Sequence, residues 1–359
     1  MKASFKKVLL VSKTTRIERF LKRGLQFTPM IAKYNKDDWQ EGNTVHHRVV
    51  ECVHNNMGKM GVEAEVIKES ELQQSDVEGK DLVIVIGGDS TYLRTAGFIE
   101  SSDIPLLGVN SDPSRRTGAL LNAEIDQQSM EMQVPRMIED LLGHQYSYFH
   151  RTRALFELDD PMRGTQIRKL CLNEIFAAEK DVSCTSMYKL VIDNKDMGKF
   201  KSSGIIISTG TGSSGWLYSA RQITPHDVSI VQQMMGIENQ SEMINENLSA
   251  LISSQNIFPH DSDQLYYFVR EGYVCDVKQY SWRAEGFCNK VKVICETIDG
   301  SLQIDGYYKH DIGIGDTFTV SSSPQYSLKC LNFGSPVISP SRTTYMHAPS
   351  NEAKCKQQQ

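Results

Sequence analysis

The sequence lacks several patterns that would each indicate a particular class of protein. Its eight cysteines include no Cys-x-x-Cys pair, so the usual spacing of zinc ligands is missing, and a chain of 359 residues does not need a disulfide framework. No apolar run approaches the roughly 18 residues that span a bilayer. The formal net charge of −5 disfavours nucleic acid as the main ligand, because neutralising phosphates requires a basic face. We therefore expect reduced thiols in an intracellular compartment, with no membrane or nucleic-acid partner.

Two further absences concern targeting and cofactor binding. The sequence shows no signal peptide, and its start, "MKASFKKVLLVSKTTR", is basic and poor in acidic residues, as at the beginning of a transit peptide. "KVLLVSK" is better interpreted as a first core strand, so we expect any presequence to be absent already. No Gly-x-Gly-x-x-Gly motif opens a helix, which disfavours a dinucleotide-binding dehydrogenase.

The first part of the chain alternates strand and helix patterns. "KVLLVSK", "VEAEVI", "DLVIVI" and "IPLLGVN" have strand character, and "DLVIVI" is apolar at every position, as in a parallel strand covered on both faces. Between them, apolar residues recur at helical spacing from Val45 to Met60 until Gly61, and "TYLRTAGFI" is also helical. This βαβ series predicts a Rossmann-like parallel sheet in an N-terminal α/β domain, residues 1–150.

From Arg151 the pattern changes to short segments of strand character separated by Gly, Asp and Asn, such as "ALFEL", "YKLVID" and "KVKVIC". They predict an antiparallel β-rich domain over 151–331, and hence a two-domain α+β protein. A helical insertion is expected at 221–262. The polar, aperiodic residues 332–359 are expected to form a flexible tail.

Gly87 and Gly88 end the predicted strand "DLVIVI", at the edge of a parallel sheet where ligands bind. Glycines there allow close approach to a phosphate, and the amides of the next helix attract anions. Asp89 repels phosphate but can take a proton from an attacking alcohol, while Thr91 can donate to a phosphate oxygen. The alternative is that Asp89 merely caps the helix.

A second cluster is "LNEIF", which places Asn173 and Glu174 within an apolar strand. Because side chains alternate across a strand, one of the two should face the interior or a cleft and needs partners there. Nucleoside hydroxyls and amides would serve. A β-bulge or an exposed edge is the alternative.

A third cluster, "KSSGIIISTGTGSSGW", residues 201–216, breaks from an apolar strand into glycines and hydroxyls. The glycines permit a tight loop, the serines and threonines supply neutral donors, and Trp216 offers an aromatic face for a ring. A solvent-exposed Ser/Gly linker is the alternative, although linkers rarely follow four apolar residues directly.

The three clusters, in this order, resemble the NAD kinase family. Further matches are the Thr-Gly step Thr117–Gly118 in "PLLGVNSDPSRRTGALL" and the Asp-Gly element of "LQIDGYY". The start of the chain, "GVNSDP" and the helical insertion resemble the mitochondrial-type branch. The resemblance covers roughly Lys7 to Leu331. Gly-Gly-Asp alone is shared with lipid kinases and phosphofructokinases, whereas the ordered set is much more specific.

The resemblance implies transfer of the γ-phosphate of ATP to the 2′-hydroxyl of the adenosine ribose of NAD, with Asp89 as general base. Mg²⁺ is expected to arrive with ATP, without a metal site made by the protein alone. A homodimer in mitochondria is expected, with the cytoplasm as the alternative location. The residues assigned to NAD are Asp89, Ser90, Asn173, Glu174, Ser203, Ser214, Gly215 and Trp216, and those assigned to ATP or its phosphates are Gly87, Gly88, Ser90, Thr91, Ser208, Thr209, Thr211, Asp305 and Gly306.

The sequence departs from the family pattern at three positions. Ser90 replaces a usual glycine, Ser203 a frequent aspartate, and Trp216 a frequent tyrosine. Two other functions stay open: an NAD-binding protein in which Ser90 blocks the donor phosphate, and a lipid kinase of the diacylglycerol or sphingosine type. A lipid kinase would not need the Asn-Glu pair or the hydroxyl-rich loop.

Overall fold

The computed structural model describes residues 5–28, 36–115, 118–160, 164–237, 241–273, 280–281 and 284–333. Thr117 and the predicted tail from residue 334 onward lie outside this part of the chain. The described residues divide into two units: unit 1 lies within Met1–His150 and Gln325–Val337, and unit 2 within Arg151–Pro324.

Unit 1 is built around a parallel sheet in the order β4-β3-β1-β2, with β5 pairing in parallel to β4. Its strands are β1 (Lys7–Ser12), β2 (Glu63–Lys68), β3 (Leu82–Gly87), β4 (Leu106–Asn110) and β5 (Ala123–Glu124). Its helices are α1 (Arg16–Lys22), α2 (Asp37–Lys59), α3 (Gln74–Val77), α4 (Asp89–Ala96) and α5 (Met130–Leu142). Every residue of β3 is buried, as expected for a parallel strand covered on both faces.

Helix α2 shows how the apolar spacing produces the core of unit 1. Val45, Val49, Val53 and Met57 share one face, and all are buried. After the helix, Gly61 adopts φ +77°, a left-handed conformation that glycine tolerates best and that turns the chain into β2. The last three of these side chains join Leu82, Ile84 and other strand residues in one apolar cluster.

Unit 2 contains two sheets. Its strands are β6 (Ser147–Asp160), β7 (Thr165–Cys171), β8 (Glu174–Glu179), β9 (Ser186–Ile192), β10 (Lys195–Ser202), β11 (Gly204–Ser208), β12 (Leu265–Arg270), β13 (Tyr280–Ser281), β14 (Glu285–Cys288), β15 (Lys290–Cys295), β16 (Gly300–Ile304), β17 (Tyr308–Ile312) and β18 (Thr317–Asn332). One sheet is antiparallel throughout, in the order β14-β12-β11-β8-β16-β17. The other runs β13-β10-β9-β15-β18, and β6 pairs with β18 and β7. A single apolar cluster takes side chains from both sheets. The parallel sheet of unit 1 and the strand-rich unit 2 confirm the predicted fold class.

Three helices interrupt the strands of unit 2 after β11: α6 (Trp216–Ala220), α7 (Pro225–Met234) and α8 (Glu242–Ser254). The last two lie within the segment for which a helical insertion was expected. Thr224 caps α7 with a capping box, in which its hydroxyl accepts from the Asp227 amide while the Asp227 carboxylate accepts from the Thr224 amide.

The end of the chain requires one correction. Residues 325–331 were assigned to the β-rich domain, but β18 passes into unit 1 at Gln325. The reason is that Cys330 pairs in parallel with Leu106 of β4, and Leu331 is buried in the core of unit 1.

Two smaller findings concern the whole described chain: its six cysteines are free, and none of its helices is long and apolar enough to cross a membrane.

Candidate active site

The Gly-Gly-Asp segment forms the turn between β3 and α4. Gly88 is the N-cap in extended conformation, φ −134° and ψ 179°, so neither it nor Gly87 needs a left-handed backbone. A Cβ on Gly87 would lie 2.9 Å from the Lys13 Cβ and 3.1 Å from the Thr91 Oγ1, whereas a Cβ on Gly88 would meet nothing within 4 Å. Gly87 is therefore required by packing, and Gly88 leaves open the space in front of the helix.

Asp89 is the first residue of α4 and does not cap its own helix. Its Oδ2 accepts a hydrogen bond from the Ala119 amide and its Oδ1 from the Leu120 amide, each at 3.0 Å. The helix-cap interpretation is therefore wrong. The two bonds fix the carboxylate against the loop after β4, and each oxygen retains a lone pair that can accept a proton.

The conformation of Ser90 shows whether serine is tolerated at the position where the family pattern usually has glycine. It is exposed and lies within the first turn of α4, and it is not among the residues of the described chain with positive φ. Serine therefore causes no backbone strain at this position.

A cavity of about 340 Å³ opens in front of this turn, within unit 1. Gly87 to Thr91 line it together with residues of the β1–α1 loop, α1, α2 and the loop after β4. Four cationic side chains border it: Lys13, Arg16, Arg19 and Arg115. Arg19 is paired with Glu69, and Arg115 with Asp38, Glu41 and Asp112.

Two polar atoms on the cavity wall are buried without a hydrogen-bond partner in the described chain. They are the Thr14 hydroxyl and the indole Nε1 of Trp39, over whose ring the Arg16 guanidinium lies at 5.9 Å. A buried donor without a partner costs about 1–3 kcal/mol, so these groups favour a ligand with acceptor atoms.

In unit 2, the Asn-Glu pair is held by Asp305. Strand β7 ends at Cys171 and β8 begins at Glu174, so Asn173 lies in a bend before the strand, and its expected position inside the strand is wrong. The Asp305 carboxylate accepts from the amides of Leu172 at 2.7 Å, Asn173 at 2.7 Å and Glu174 at 3.2 Å, and from the Cys171 thiol at 3.1 Å. These four bonds produce the bend.

These partners disfavour direct contact between the Asp305 side chain and phosphate, and the predicted role of Asp305 in the ATP site stays a prediction. The carboxylate is buried and its oxygens are occupied by backbone donors, and its charge would repel phosphate. The backbone of Asp305 has φ +50° and that of Gly306 has φ +67°, and these two residues turn the chain from β16 to β17. The Asp-Gly element is a positioning element for the Asn-Glu bend, and a role for Gly306 in phosphate binding stays a prediction.

The side chains of Asn173 and Glu174 each carry a buried oxygen without a partner. Asn173 Oδ1 and Glu174 Oε2 are buried and have no hydrogen-bond partner in the described residues. Both side chains face Gly215, whose Cβ would lie 3.9 Å from Asn173 Nδ2 and from Glu174 Oε2. Burial, and then the charge of Asp305, raises the pKa of Glu174 to about 8. Burial raises the pKa of Asp305 as well, but backbone amides donate to its carboxylate and stabilise the charge, so Glu174 is the member of the pair that takes the proton at neutral pH.

The glycine-rich loop after β11 packs tightly against this bend. A Cβ on Gly212 would lie 2.3 Å from the Asn173 carbonyl oxygen, and one on Gly210 would collide with the Pro259 backbone, so the loop cannot be a solvent-exposed linker. Ser208 and Thr209 are buried and donate their hydroxyl hydrogens to the carbonyls of Thr209 and Leu172. These hydrogens are already used within the loop, and the predicted phosphate contacts of Ser208 and Thr209 stay predictions.

The other loop residues differ in exposure. Thr211 is buried and its Oγ1 accepts from the Arg151 guanidinium at 3.4 Å, so its phosphate contact stays a prediction. Ser214 is exposed. Trp216 is 37% exposed; its ring centroid lies 4.5 Å from that of Phe176, and the Arg270 guanidinium lies 5.7 Å from each ring. The predicted stacking of a ligand ring on Trp216 stays a prediction.

The structure does not place Ser203 beside Asn173 and Glu174. It precedes β11, whereas Ser208, at the other end of that strand, pairs with Glu174. Five residues of strand separate the two ends by about 16 Å, and Ser203 hydrogen-bonds Glu271 there. The predicted contact of Ser203 with NAD therefore stays a prediction.

Comparison with known proteins identifies the group to which these features belong. The model of the ATP-NAD kinase N-terminal domain matches residues 7–114. NAD kinase 2, mitochondrial, of Homo sapiens is 24% identical over 347 residues, covering 84% of this chain and 78% of that protein. The protein of the same name from Xenopus tropicalis is 22% identical over 398 residues, covering 90% and 89%.

The chain is similar to NAD kinases of the mitochondrial type.

Solved structures of NAD kinases have the same fold. Yeast NADH kinase complexed with NADH matches with a TM-score of 0.55 at 14% identity, covering 93% of this chain and 85% of that one. An NAD kinase from Archaeoglobus fulgidus in complex with ATP matches with a TM-score of 0.52 at 15% identity, covering 90% and 92%.

Several residues that line the cavity of unit 1 were not identified from the sequence. The β1–α1 loop, "SKTTR", follows a buried parallel strand just as Gly-Gly-Asp does, so the rule that ligands bind at the carboxyl ends of such strands could have found Lys13 and Thr14. Trp39 has no local signal, because only the packing of α2 brings its indole to the cavity.

Proposed function

We propose that this protein is an NAD kinase, which transfers the γ-phosphoryl group of ATP to the 2′-hydroxyl of the adenosine ribose of NAD and releases NADP and ADP. Similarity to the NAD kinase family model over residues 7–114 and to relatives named NAD kinase supports this function. The observation in the chain itself that carries it is the pair of buried, unpartnered oxygens of Asn173 and Glu174 beside Gly215.

Asn173 and Glu174 bind the dinucleotide through its hydroxyl and amide groups. Both oxygens accept hydrogen bonds from ribose hydroxyls, and such donors favour the ionised form of Glu174. Because the pKa of Glu174 is about 8 in the free protein, NAD binding is expected to release a proton at neutral pH. Ser214 and Gly215 border the same position, and Trp216 stacks on a ring of the dinucleotide.

The cavity of unit 1 holds the phosphates of ATP. Four cationic side chains border it, the Thr14 hydroxyl and the Trp39 indole are donors without partners, and the first amides of α4 point toward it. Gly87, Gly88, Ser90 and Thr91 form its floor.

Asp89 is the general base. As the 2′-oxygen attacks the γ-phosphorus, its proton passes to the Asp89 carboxylate; the new O–P bond forms and the bond between the γ-phosphorus and the β,γ-bridging oxygen breaks, leaving ADP. The amides of Ala119 and Leu120 keep the carboxylate in one orientation.

Mg²⁺ is proposed to enter bound to the phosphates of ATP. Such an ion is held mainly by phosphate oxygens and water, with few protein ligands. When bound, Mg²⁺ neutralises charge on the transferring group.

A homodimer is proposed from the family resemblance, and light scattering on the purified protein tests it. A mitochondrial location is proposed because relatives of this chain are named mitochondrial. Imaging of the full chain with a C-terminal tag tests that location against the cytoplasm.

The function is tested by incubating the purified protein with ATP, Mg²⁺ and NAD and measuring NADP. We expect NADP formation that Asp89→Asn reduces strongly and that a chelator abolishes. NAD binding without NADP in the wild type would make the chain an NAD-binding protein, whereas phosphorylation of diacylglycerol or sphingosine would identify a lipid kinase. A protein that neither binds NAD nor forms NADP refutes the proposal.

A further inference from the structure

His46 is a fully buried histidine on α2 that no step of the proposed reaction uses. Its Nε2 lies 2.9 Å from the Ser12 Oγ and its Nδ1 lies 3.0 Å from the Ser111 Oγ. Ser12 is the last residue of β1, and Ser111 directly follows β4. Both serines are also buried, so the two hydrogen bonds are protected from water.

The imidazole is neutral. Burial, and then the charge of Lys13, lowers the pKa of His46 to about 2. In a neutral imidazole one ring nitrogen donates and the other accepts, and a serine hydroxyl can do either, so both bonds form whichever tautomer is present. The bridge therefore stays intact over the whole pH range in which the protein works.

The two bridged strand ends lie on either side of the Gly-Gly-Asp turn. In the sheet order β4-β3-β1, strand β3 is the middle one, and Gly87 is its last residue. Lys13, next to Ser12, donates its amide to the Ile86 carbonyl at 3.1 Å and packs against Gly87. Asp112, next to Ser111, pairs with Arg115. Lys13, Asp112 and Arg115 all line the cavity.

We propose that His46 is a positioning residue for the ATP site: its bridge between Ser12 and Ser111 sets the width of the cavity mouth across the Gly-Gly-Asp turn. The proposal rests on the proposed function, because the cavity is taken to hold the phosphates of ATP. A change in this width moves Lys13 and Arg115 relative to the helix amides, and misplaced charged groups weaken phosphate binding.

The test uses Ser12→Ala and Ser111→Ala, each of which removes one bond and almost no volume. We expect each to raise the KM for ATP by about 3- to 10-fold, the value of one buried hydrogen bond. The kcat and the KM for NAD should change by less than about 2-fold, because the amides of Ala119 and Leu120, and neither serine, hold the Asp89 carboxylate, and the Asn-Glu bend lies in unit 2. Combining both changes should add little to either, since a bridge is lost when one end is lost.

The matched control is Val53→Ala, which removes core volume from the buried face of the same helix α2. It should lower the melting temperature at least as much as the serine variants and leave the KM for ATP unchanged. An equal rise in KM for Val53→Ala, or unchanged KM values in both serine variants, overturns the proposal.

Substitutions of His46 itself test the two hydrogen bonds of the bridge one at a time. His46→Asn places an amide near the Nδ1 position and should keep the Ser111 bond, whereas His46→Gln reaches toward the Nε2 position and should keep the Ser12 bond. His46→Asn should therefore resemble Ser12→Ala, and His46→Gln should resemble Ser111→Ala.

Should the wild type form no NADP, the proposed function fails, and the ATP affinity measured by calorimetry then tests the bridge. A 3- to 10-fold loss of affinity in the serine variants, about the value of one hydrogen bond, supports the bridge, and unchanged affinity refutes it.

Discussion

Replacing Glu174 by Gln should make the protein more stable at alkaline pH. The side chain is largely buried, its Oε2 has no hydrogen-bond partner in the described residues, and Asp305 lies close with its own negative charge. Ionising Glu174 therefore places a second charge in a poorly solvated position. Gln has nearly the same shape and cannot ionise, so the substitution removes this cost while preserving the packing.

The sign and size follow from the two pKa values. The pKa of Glu174 is raised from an ordinary 4.5 to about 8, so the folded state holds the proton more tightly than the unfolded state. The stability associated with that proton is fully present below pH 4.5 and is lost as the pH rises toward 8. A difference of about 3.5 in pKa corresponds to at most about 5 kcal/mol, and we expect about 2–5 kcal/mol after relaxation.

The measurement is the free energy of unfolding by urea at intervals from pH 5 to pH 9, without nucleotides. The curves of wild type and Glu174→Gln should nearly meet at pH 5 and separate until about pH 8. Glu271→Gln is the control: a hydrogen bond from Ser203 lowers the pKa of Glu271, so any stability it contributes is constant above pH 4.5 and its curve should run parallel to the wild type. Parallel curves for Glu174→Gln as well would refute the reasoning that this carboxyl is protonated in the folded protein.

Three further predictions concern catalysis and the bend. Asp89→Asn should keep NAD affinity near the wild-type value and lower turnover by roughly 10²-fold or more, as expected for loss of a positioned base; equal turnover in steady-state assays would remove that role. Ser90→Gly should lower the KM for ATP by widening the cavity, with a loss of a few tenths of a kcal/mol from lower helix propensity; a raised KM would show that the serine hydroxyl binds the donor instead. Asp305→Asn should weaken NAD binding in calorimetry, because an amide cannot accept all four bonds that shape the bend; unchanged affinity with a lower melting temperature would make Asp305 purely structural.

Much of the fold could be predicted from local patterns. The uninterrupted apolar run of β3 and the helical spacing from Val45 to Met57 identify a parallel sheet and its covering helix, because each element must bury one or both faces. The change to short alternating segments after Arg151 identifies the β-rich part for the same reason. The order of Gly-Gly-Asp, Asn-Glu and the glycine-rich loop was enough to point to the family.

The direction of individual side chains could not be predicted in this way. "STGTGS" shows that hydroxyls are present, but only the contact of the loop with the Asn-Glu bend decides that Ser208 and Thr209 turn inward to carbonyl groups. Asp305 is 131 residues from Glu174 in sequence, and no local pattern states that its carboxylate will accept the amides of that bend.

By itself, then, the sequence determined the main strands of unit 1 and the long helix α2, the strand-rich character of unit 2, and where the backbone breaks into glycine, because these depend on near neighbours and on burial alone. Only the tertiary structure decided which polar groups find partners: Asp89 and Asp305 are occupied by backbone amides, His46 is bridged by Ser12 and Ser111, and Glu174 is left unpaired. The physical reason is that a hydrogen bond depends on distance and direction between groups far apart in the chain, and those quantities exist only after the sheets have packed.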